Sequence, residues 1–284
     1  MRTWLFKTEP NDFSIRDLRD APDQMTGWDG VRNYQARNRL RDEIQDGDRV
    51  RMSIEGMGPE LIVSVSDPLK YYRNNTAASR ALIETCVNAE IHHFIFSSTA
   101  AVYGMPEKVP VSENSPTAPI NPYGASKLMT EWMLRDTTAA HDFRYVALRY
   151  FNVAGADPSG RTGLSSPNAT HLIKIASQVV TGQRDHIEVF GEDYDPPDGT
   201  CIRDYIHVED LAKAHVMALE YMAGGGESRV LNCGYGRGFT VREVIDVVKR
   251  QSGNDFPVQE TGRRAGDPAA LMADNSRIKK ELGW

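Results

Sequence analysis

The sequence predicts an α/β fold built on a mainly parallel β-sheet. Segments typical of strands alternate with segments typical of helices from residue 67 to residue 252. Such alternation is typical of parallel sheets, because a crossover between parallel strands needs a connection of helix length. The length of 284 residues is enough for a sizeable core, and 40% hydrophobic and 25% charged residues are ordinary values for a globular protein.

The first predicted helix of this α/β part begins after Asp67 and runs to about Ala89. Asp67 is a suitable N-cap, and Pro68 fits the first turn, where a backbone N–H would have no partner. The apolar face of this helix is predicted to contain Leu69, Tyr72, Leu82, Ile83, Cys86 and Val87. A buried strand over residues 93–97 and a proline-rich loop follow.

The second predicted helix covers residues 124–140, with Leu128, Met129, Trp132 and Met133 on one side. Further along the chain, we expect strands over residues 145–151, 187–190 and 229–233. We expect helices over residues 171–181, 208–222 and 241–252. This order completes the strand–helix alternation on which the predicted fold class rests.

Several classes of protein are disfavoured by the sequence. No apolar run is long enough to span a membrane, and the first residues lack the apolar stretch of a signal peptide, so we expect a cytoplasmic protein without membrane attachment. Cys86, Cys201 and Cys233 are scattered, which argues against a disulfide framework and against a metal site. The net charge of −6 disfavours non-specific nucleic-acid binding by the chain as a whole.

Candidate catalytic residues lie at the start of the second helix. Tyr123 and Lys127 are four residues apart, so they are neighbours on one helix face. A nearby cation stabilises a phenolate and lowers the pKa of the tyrosine, and Thr99 could orient a substrate hydroxyl. On spacing alone, an exposed tyrosine beside a solvated lysine is the commoner explanation of this pattern.

Several motifs, in order along the chain, resemble the epimerase branch of the extended short-chain dehydrogenase/reductase family. They include FIFSSTAAVYG (94–104), NPYGASKLMTE (121–131), LRYFNVAG (148–155), DGTCIRDYIHV (198–208) and RRAGDP (263–268). The resemblance covers residues 61–284 and implies a Rossmann-type parallel sheet with helices on both faces and a smaller C-terminal substrate-binding region. It implies NAD as cofactor, interconversion of UDP-galactose and UDP-glucose through oxidation at C4, and a possible homodimer. The related dehydratases are disfavoured, because alanines follow Thr99 where those enzymes carry an Asp-Glu pair.

The resemblance also implies roles for individual residues. Tyr123 corresponds to the catalytic base, Lys127 to its partner on the nicotinamide ribose, and Thr99 to the hydroxyl that contacts the sugar. Asn74 and Phe151 correspond to further cofactor contacts. The residues that correspond to UDP-sugar contacts are Asn152, Leu172, Phe190, Arg203, Arg264 and Asp267.

One family feature is missing from the sequence. The family begins with a strand and a Gly-rich turn that holds the NAD pyrophosphate, but Gly56 and Gly58 are followed by Leu61 where a third glycine is needed. A second Gly-rich stretch, over residues 234–238, precedes a capping box from Thr240 to Glu243 and is better explained as a strand-to-helix turn. We therefore expect an incomplete sheet, with weak or no turnover, or a remnant that only binds UDP-sugars.

The first 52 residues differ from the rest. They contain ten Lys or Arg and ten Asp or Glu, a much denser charge than the remainder, and residues 53–60 form a short Gly/Pro junction. The motifs WLFKTEP (4–10) and WDGVRNYQARN (28–38) resemble the start of an EVE domain, a PUA-like module associated with modified bases, so we expect a short α+β fragment over residues 1–52. Residues that could bind nucleic acid, or could equally form a solvated face, are Trp28, Arg32, Tyr34, Arg37, Arg39 and Arg41.

Overall fold

A computed structural model describes residues 64–284, apart from 161–162, 165–169, 196–197 and 265–266, and the backbone of two strands nearer the N-terminus. The elements are, in chain order, β1 (Thr3–Thr8), β2 (Arg49–Ile54), α1 (Pro68–Tyr71), a π-helical turn (Tyr72–Ala77), α2 (Ala78–Asn88), β3 (His93–Thr99), a 3₁₀ helix (Ala100–Tyr103), α3 (Pro122–Ala140), β4 (Arg144–Tyr150), β5 (Asn152–Ala154), α4 (Leu172–Val180), β6 (Ile187–Phe190), β7 (Ile202–His207), α5 (Val208–Ala223), β8 (Arg229–Cys233), β9 (Gly238–Thr240), α6 (Val241–Ser252), β10 (Val258–Thr261), β11 (Ala270–Leu271) and α7 (Ser276–Leu282).

The central sheet of the α/β part is parallel, in the order β3-β4-β8. One face of β3 and β4 packs on α2 and α3 through a cluster of Leu82, Ile83, Cys86, Phe94, Phe96, Leu134, Phe143, Tyr145 and Ala147. The other face packs on α5 and α7 through a second cluster that includes Ile95, Val146, Leu148, Ala214, Met222, Leu231 and Ile278. The prediction of a parallel sheet with helices on both faces is confirmed.

Smaller sheets form the C-terminal region. β7 pairs in parallel with β5 and β11 and antiparallel with β9, and β6 pairs in parallel with β10. A separate apolar cluster joins α4 and α6 to β6 and includes Val179, Ile187, Val189 and Ile245. This region contributes the strand ends that carry the predicted substrate residues. Near the N-terminus, β1 and β2 form their own parallel pair.

The helix predicted from Asp67 to Ala89 is present as α1, the π-helical turn and α2. Asp67 caps it as predicted, since its side chain accepts the N–H of Lys70 at 3.2 Å. The prediction that Leu69 is part of the apolar face is wrong, because this side chain is 77% exposed. Tyr71 is buried instead. Each residue of a helix rotates by about 100°, so the side chains of Leu69 and Tyr71 point about 200° apart.

The apolar side predicted for the second helix is also partly wrong. Trp132 is 47% exposed, whereas Leu128 is buried as predicted. The buried stripe of α3 includes Lys127, Glu131 and Leu134, and Trp132 lies about 100° further around the helix than Glu131. Polar residues thus occupy the face that points inward, which a pattern of apolar residues could not indicate.

The three cysteines, Cys86, Cys201 and Cys233, are buried free thiols. Burial raises the pKa of the Cys201 and Cys233 thiols. Within the described part of the chain, no helix is both long and apolar enough to cross a membrane.

A buried ion pair joins α3 to the central strand β4. Arg149 donates to both carboxylate oxygens of Glu131, at 2.9 Å from Nε and 2.5 Å from Nη2, and each side chain is about 5% exposed. Ser98 Oγ also donates to Glu131, and Arg149 Nη1 donates to the hydroxyl of Tyr103 at 3.0 Å. The pair therefore connects α3, β3 and β4 directly beneath the end of the sheet where Thr99 lies.

We predict that Glu131→Leu lowers the free energy of unfolding by about 3–5 kcal/mol, because it leaves the Arg149 guanidinium buried without a counter-charge. The double variant Glu131→Leu/Arg149→Leu should lose less, since no charge is then stranded. Urea denaturation followed by circular dichroism measures both. The exposed pair Arg135–Asp136 offers a control, because Asp136→Leu should change stability by less than about 1 kcal/mol. Equal losses in the single and double Glu131 variants would contradict this account.

Candidate active site

Tyr123 and Lys127 are both buried at the start of α3. Asn121 caps this helix by accepting the N–H of Gly124 at 2.8 Å, and Pro122 occupies its first turn. Tyr123 is 6% exposed and Lys127 only 2%. Lys127 Nζ donates to the carbonyl oxygen of Ser97 at 3.0 Å and lies 5.9 Å from the centre of the Tyr123 ring. The simpler explanation, an exposed tyrosine beside a solvated lysine, is therefore wrong.

Thr99 lies at the end of β3, close to the start of α3. Its Oγ1 accepts the N–H of Ala101 at 3.1 Å, so its hydroxyl proton can be donated to another acceptor. The two elements approach closely because residue 124 is glycine: a Cβ there would lie 2.6 Å from the carbonyl oxygen of Ala101. This contact brings the segment after Thr99 against the turn that carries Tyr123.

The π-helical turn also supports Tyr123. Asn75 Nδ2 donates to Ser126 Oγ at 2.9 Å, and Ser126 Oγ donates to the backbone oxygen of Tyr123 at 2.7 Å. Tyr71 lies edge-on to the Tyr123 ring, with 6.2 Å between ring centres. Sequence reasoning selected the neighbouring Asn74, which is partly buried, and missed Asn75 and Ser126. π-Helical turns inside α-helices are frequent at functional sites, but no sequence pattern indicated the one over Tyr72–Ala77.

Phe151 and Asn152 follow β4 directly. Phe151 is buried in a cluster with Leu128 of α3, and Leu271 of β11 packs against that cluster. Asn152 begins β5 and is partly exposed, in register with Tyr205 of β7. The end of β4 therefore lies between the helix that carries Lys127 and the strand that carries Arg203.

The second part of the site is cationic and only partly neutralised. Arg203 Nη1 donates to the carbonyl oxygens of Ile202 and Pro268 at 2.8 Å. Its Nη2 lies 3.3 Å from an oxygen of Asp267, an ion-pair distance, yet makes no hydrogen bond among the described residues. A buried guanidinium with an unused donor is suited to an anionic ligand.

Arg264 has the same property. Its guanidinium carbon lies 3.5 Å from the centre of the Phe190 ring, and its buried Nε has no hydrogen-bond partner in the described part of the chain. Burial lowers the pKa of this arginine. Arg264 lines a cavity of about 240 Å³. The other residues that line this cavity are Ile175, Arg184, Asp185, His186, Glu188 and Phe190.

The structure thus gathers the predicted residues into two groups. Thr99, Tyr123 and Lys127 lie around the carboxyl end of β3, and Phe190, Arg203, Arg264 and Asp267 lie together in the C-terminal region. Leu172 is the first residue of α4 and packs beside the cluster of α4, β6 and α6. The residues proposed for nucleic-acid binding, from Trp28 to Arg41, lie outside the described residues.

The Gly-rich stretch 234–238 binds a carboxylate of the chain itself. Asp204 accepts the N–H groups of Tyr235 and Gly236 at 2.9 Å and that of Ala273 at 3.1 Å. A Cβ at residue 234 would lie 2.7 Å from an Asp204 oxygen. The predicted capping box between Thr240 and Glu243 is present just beyond. This loop is therefore a structural turn, as predicted, and the N–H groups of Tyr235 and Gly236 are not available to a phosphate.

A buried tyrosine–lysine pair at the carboxyl end of a parallel sheet is suited to a dinucleotide-dependent enzyme. Residues 55–234 match the NAD dependent epimerase/dehydratase family, and residues 2–77 match the EVE domain. The chain belongs to the NAD dependent epimerase/dehydratase family.

Named relatives make the comparison specific. UDP-glucose 4-epimerase of Azospirillum brasilense is 61% identical over 246 residues, which are 86% of this chain and 71% of that protein. The structure of UDP-glucose 4-epimerase from Brucella ovis in complex with NAD has a TM-score of 0.82 at 36% identity and covers 100% of this chain and 93% of that one. The enzyme from Bifidobacterium longum, in complex with NAD⁺ and UDP, has a TM-score of 0.77 at 38% identity, with 90% and 77% covered.

NAD is the cofactor of the family, and the residues of this chain fit one end of it. The phenol of Tyr123 and the ammonium of Lys127 are donors suited to the nicotinamide ribose. Among the described residues, the Gly-rich loop over 234–238 offers no site for the pyrophosphate, because Asp204 already binds its N–H groups. The Tyr123–Lys127 pair therefore fits the nicotinamide end, and the described Gly-rich loop does not fit the pyrophosphate end.

We predict that inorganic pyrophosphate stabilises the folded chain, because it supplies acceptors to Arg203 and Arg264. A ligand at 100 times its dissociation constant adds about 2.7 kcal/mol, visible as a higher midpoint of thermal unfolding. Arg203→Gln should lose most of this shift. Arg80→Gln is the matched control, because Arg80 is an exposed partner of Glu84 on α2. An equal shift in both variants would show that the ion binds elsewhere.

Proposed function

We propose that this chain carries the active site of a UDP-glucose 4-epimerase, which interconverts UDP-galactose and UDP-glucose by oxidation and reduction at C4 of the sugar. The buried Tyr123–Lys127 pair beside Thr99 carries the proposal, because it combines a base, its activating charge and an orienting hydroxyl. The relatives support the substrate class, because a closely similar chain is named UDP-glucose 4-epimerase.

The UDP part of the substrate is proposed to bind in the C-terminal region. Arg203 and Arg264 hold the diphosphate through the donors that have no partner in the described residues. Asp267 fixes Arg203 at 3.3 Å and keeps the cleft from becoming purely cationic. The remaining contacts are assigned to Asn152, Leu172 and Phe190.

The sugar is proposed to bind near Thr99 and Tyr123. Tyr123 takes the proton of the 4-hydroxyl as the C–H bond at C4 is broken, and returns it when that bond is formed again on the other face. Lys127 stabilises the phenolate, since its ammonium is buried one turn further along the helix. Thr99 donates its free hydroxyl proton to the substrate oxygen and fixes its direction. NAD, when bound, supplies reversible hydride transfer with C4. Phe151 is assigned a contact near its nicotinamide, and Asn74 a further contact with the cofactor.

We further propose that turnover is impaired. The family holds the NAD pyrophosphate on a Gly-rich turn that follows its first strand, whereas this chain carries EVE-like sequence in that part. A remnant that binds UDP-sugars without turning them over is the alternative. An assay of UDP-galactose conversion distinguishes the impaired enzyme from the binding remnant. The enzyme forms UDP-glucose from UDP-galactose, whereas the remnant only binds the two UDP-sugars.

A second candidate function is favoured by the EVE match over residues 2–77. Such a module would bind nucleic acid carrying modified bases. Binding to oligonucleotides that weakens steeply with salt would support it, because each neutralised phosphate releases counterions.

Dimer formation is a further proposal from family resemblance. Leu69 on α1 and Trp132 on α3 have exposed side chains, which supply apolar surface for the proposed dimer contact. We also place the protein in the cytoplasm, where its three buried thiols stay reduced.

We predict that Tyr123→Phe lowers the rate of 4-epimerisation by about 10²–10⁴-fold, because the base is removed while the ring is kept. Lys127→Met should also lower it and shift the pH optimum upwards, since the phenolate loses its counter-charge. Conversion of UDP-galactose, followed by chromatography, measures both. Tyr72→Phe on the π-helical turn is the matched control. Unchanged turnover in Tyr123→Phe would remove the proposed mechanism.

We also predict that turnover rises with NAD concentration into the millimolar range without saturating. The reason is that the pyrophosphate lacks its usual Gly-rich turn, so only the nicotinamide end is held. Initial rates at fixed UDP-galactose and increasing NAD test this directly. Saturation at micromolar NAD would mean that another part of the chain binds the pyrophosphate.

A further inference from the structure

Unpartnered polar atoms are concentrated beside the cationic cleft. Four buried side-chain polar atoms lack a hydrogen bond among the described residues: Asn75 Oδ1, Tyr194 Oη, Arg203 Nη2 and Arg264 Nε. Three of the four belong to the C-terminal region, and Tyr194 is the one to which neither the family resemblance nor the proposed function assigns a role.

The Tyr194 ring is held firmly by its surroundings. The side chain is 7% exposed, and its backbone N–H donates to the carbonyl oxygen of Gly199 at 2.9 Å. The guanidinium of Arg263 lies 4.2 Å from the ring centre. Gly191 makes room for the ring, since a Cβ there would lie 2.6 Å from a ring carbon. The position of the hydroxyl is thus fixed before any ligand binds.

The charges around this hydroxyl are those of the cleft. Burial raises the pKa of Tyr194, with Asp267 acting in the same direction and Arg263 and Arg203 opposing it. Asp267 is the carboxylate that pairs with Arg203 and also acts on Arg264. Tyr194 is therefore a neutral O–H donor beside the two unpartnered guanidinium donors.

The three unused atoms share one chemical property, because each of them can donate a hydrogen bond. A ligand that satisfies all of them must be rich in acceptors, and a diphosphate is such a group. We propose that Tyr194 Oη donates a hydrogen bond to the diphosphate of the bound sugar nucleotide, alongside Arg203 and Arg264. This inference rests on the proposed function, since that function places a UDP-sugar in the cleft.

The variant Tyr194→Phe tests the proposal, because it keeps the ring and its contact with Arg263 and removes only the hydroxyl. Titration calorimetry of the full chain with UDP and with uridine measures the effect. We expect UDP to bind about five- to tenfold more weakly and uridine to bind with unchanged affinity, as for the loss of one hydrogen bond to a phosphate. The unliganded variant should unfold at the same midpoint or higher, because an unpartnered buried hydroxyl has been removed.

Tyr221→Phe is the matched control, since the Tyr221 hydroxyl on α5 donates to Glu281 of α7 and takes no part in the cleft. UDP affinity equal in Tyr194→Phe and the unsubstituted chain would overturn the proposal and leave the proposed function intact. A lower unfolding midpoint with equal loss of UDP and uridine binding would also overturn it, in favour of a structural role. Failure of the unsubstituted chain to bind UDP would overturn this inference and the proposed function together.

Discussion

The buried ion pair between Glu131 and Arg149 is the interaction on which the arrangement of the site depends. It lies where α3, β3 and β4 meet, and its partners Ser98 and Tyr103 flank the strand end that carries Thr99. Neither charge is tolerable alone in this position, because each has lost its hydration. The pair therefore fixes the rotation of α3, and with it the direction of Tyr123 and Lys127. Packing alone would specify that rotation less strictly, since apolar contacts have no direction.

The charged groups in the two halves of the site differ in whether they have partners within the chain. Around β3 the charges are satisfied within the chain: Lys127 binds a backbone oxygen, and Glu131 and Arg149 neutralise each other. In the C-terminal region, Arg203 and Arg264 retain donors without acceptors among the described residues, although Asp267 lies nearby. The Gly-rich loop near β8 follows the first pattern, because Asp204 supplies the anion that its N–H groups require. Within the described part of the chain, the buried side-chain donors without a hydrogen-bond partner thus lie in the C-terminal region.

Much of the fold and of the candidate site could be predicted from the sequence. The parts that could not be predicted depend on contacts that no local sequence pattern records. The long helices and the buried strands β3, β4 and β8 follow from periodicity and caps such as Asp67 and Thr240. Short strands such as β5, β9 and β11 were not predicted, because two or three residues carry no period and their pairing is set by distant partners. Leu69 and Trp132 were misplaced because polar residues occupy the inward faces. Asn75, Ser126 and Tyr194 were missed because their importance lies in contacts between segments far apart in sequence.

The two apolar clusters that flank the central sheet determine where the chain can change without loss of packing. Every named member of these clusters lies after residue 81, on β3, β4 and β8, on the helices that cover them or in the adjoining segments. Replacement of the segment before α1 therefore leaves both sets of contacts in place. An exchange inside β3 would instead divide both clusters, because Phe94 and Phe96 belong to one of them and Ile95 to the other. The position before α1 is thus one where the chain can change without loss of packing on either face of the central sheet.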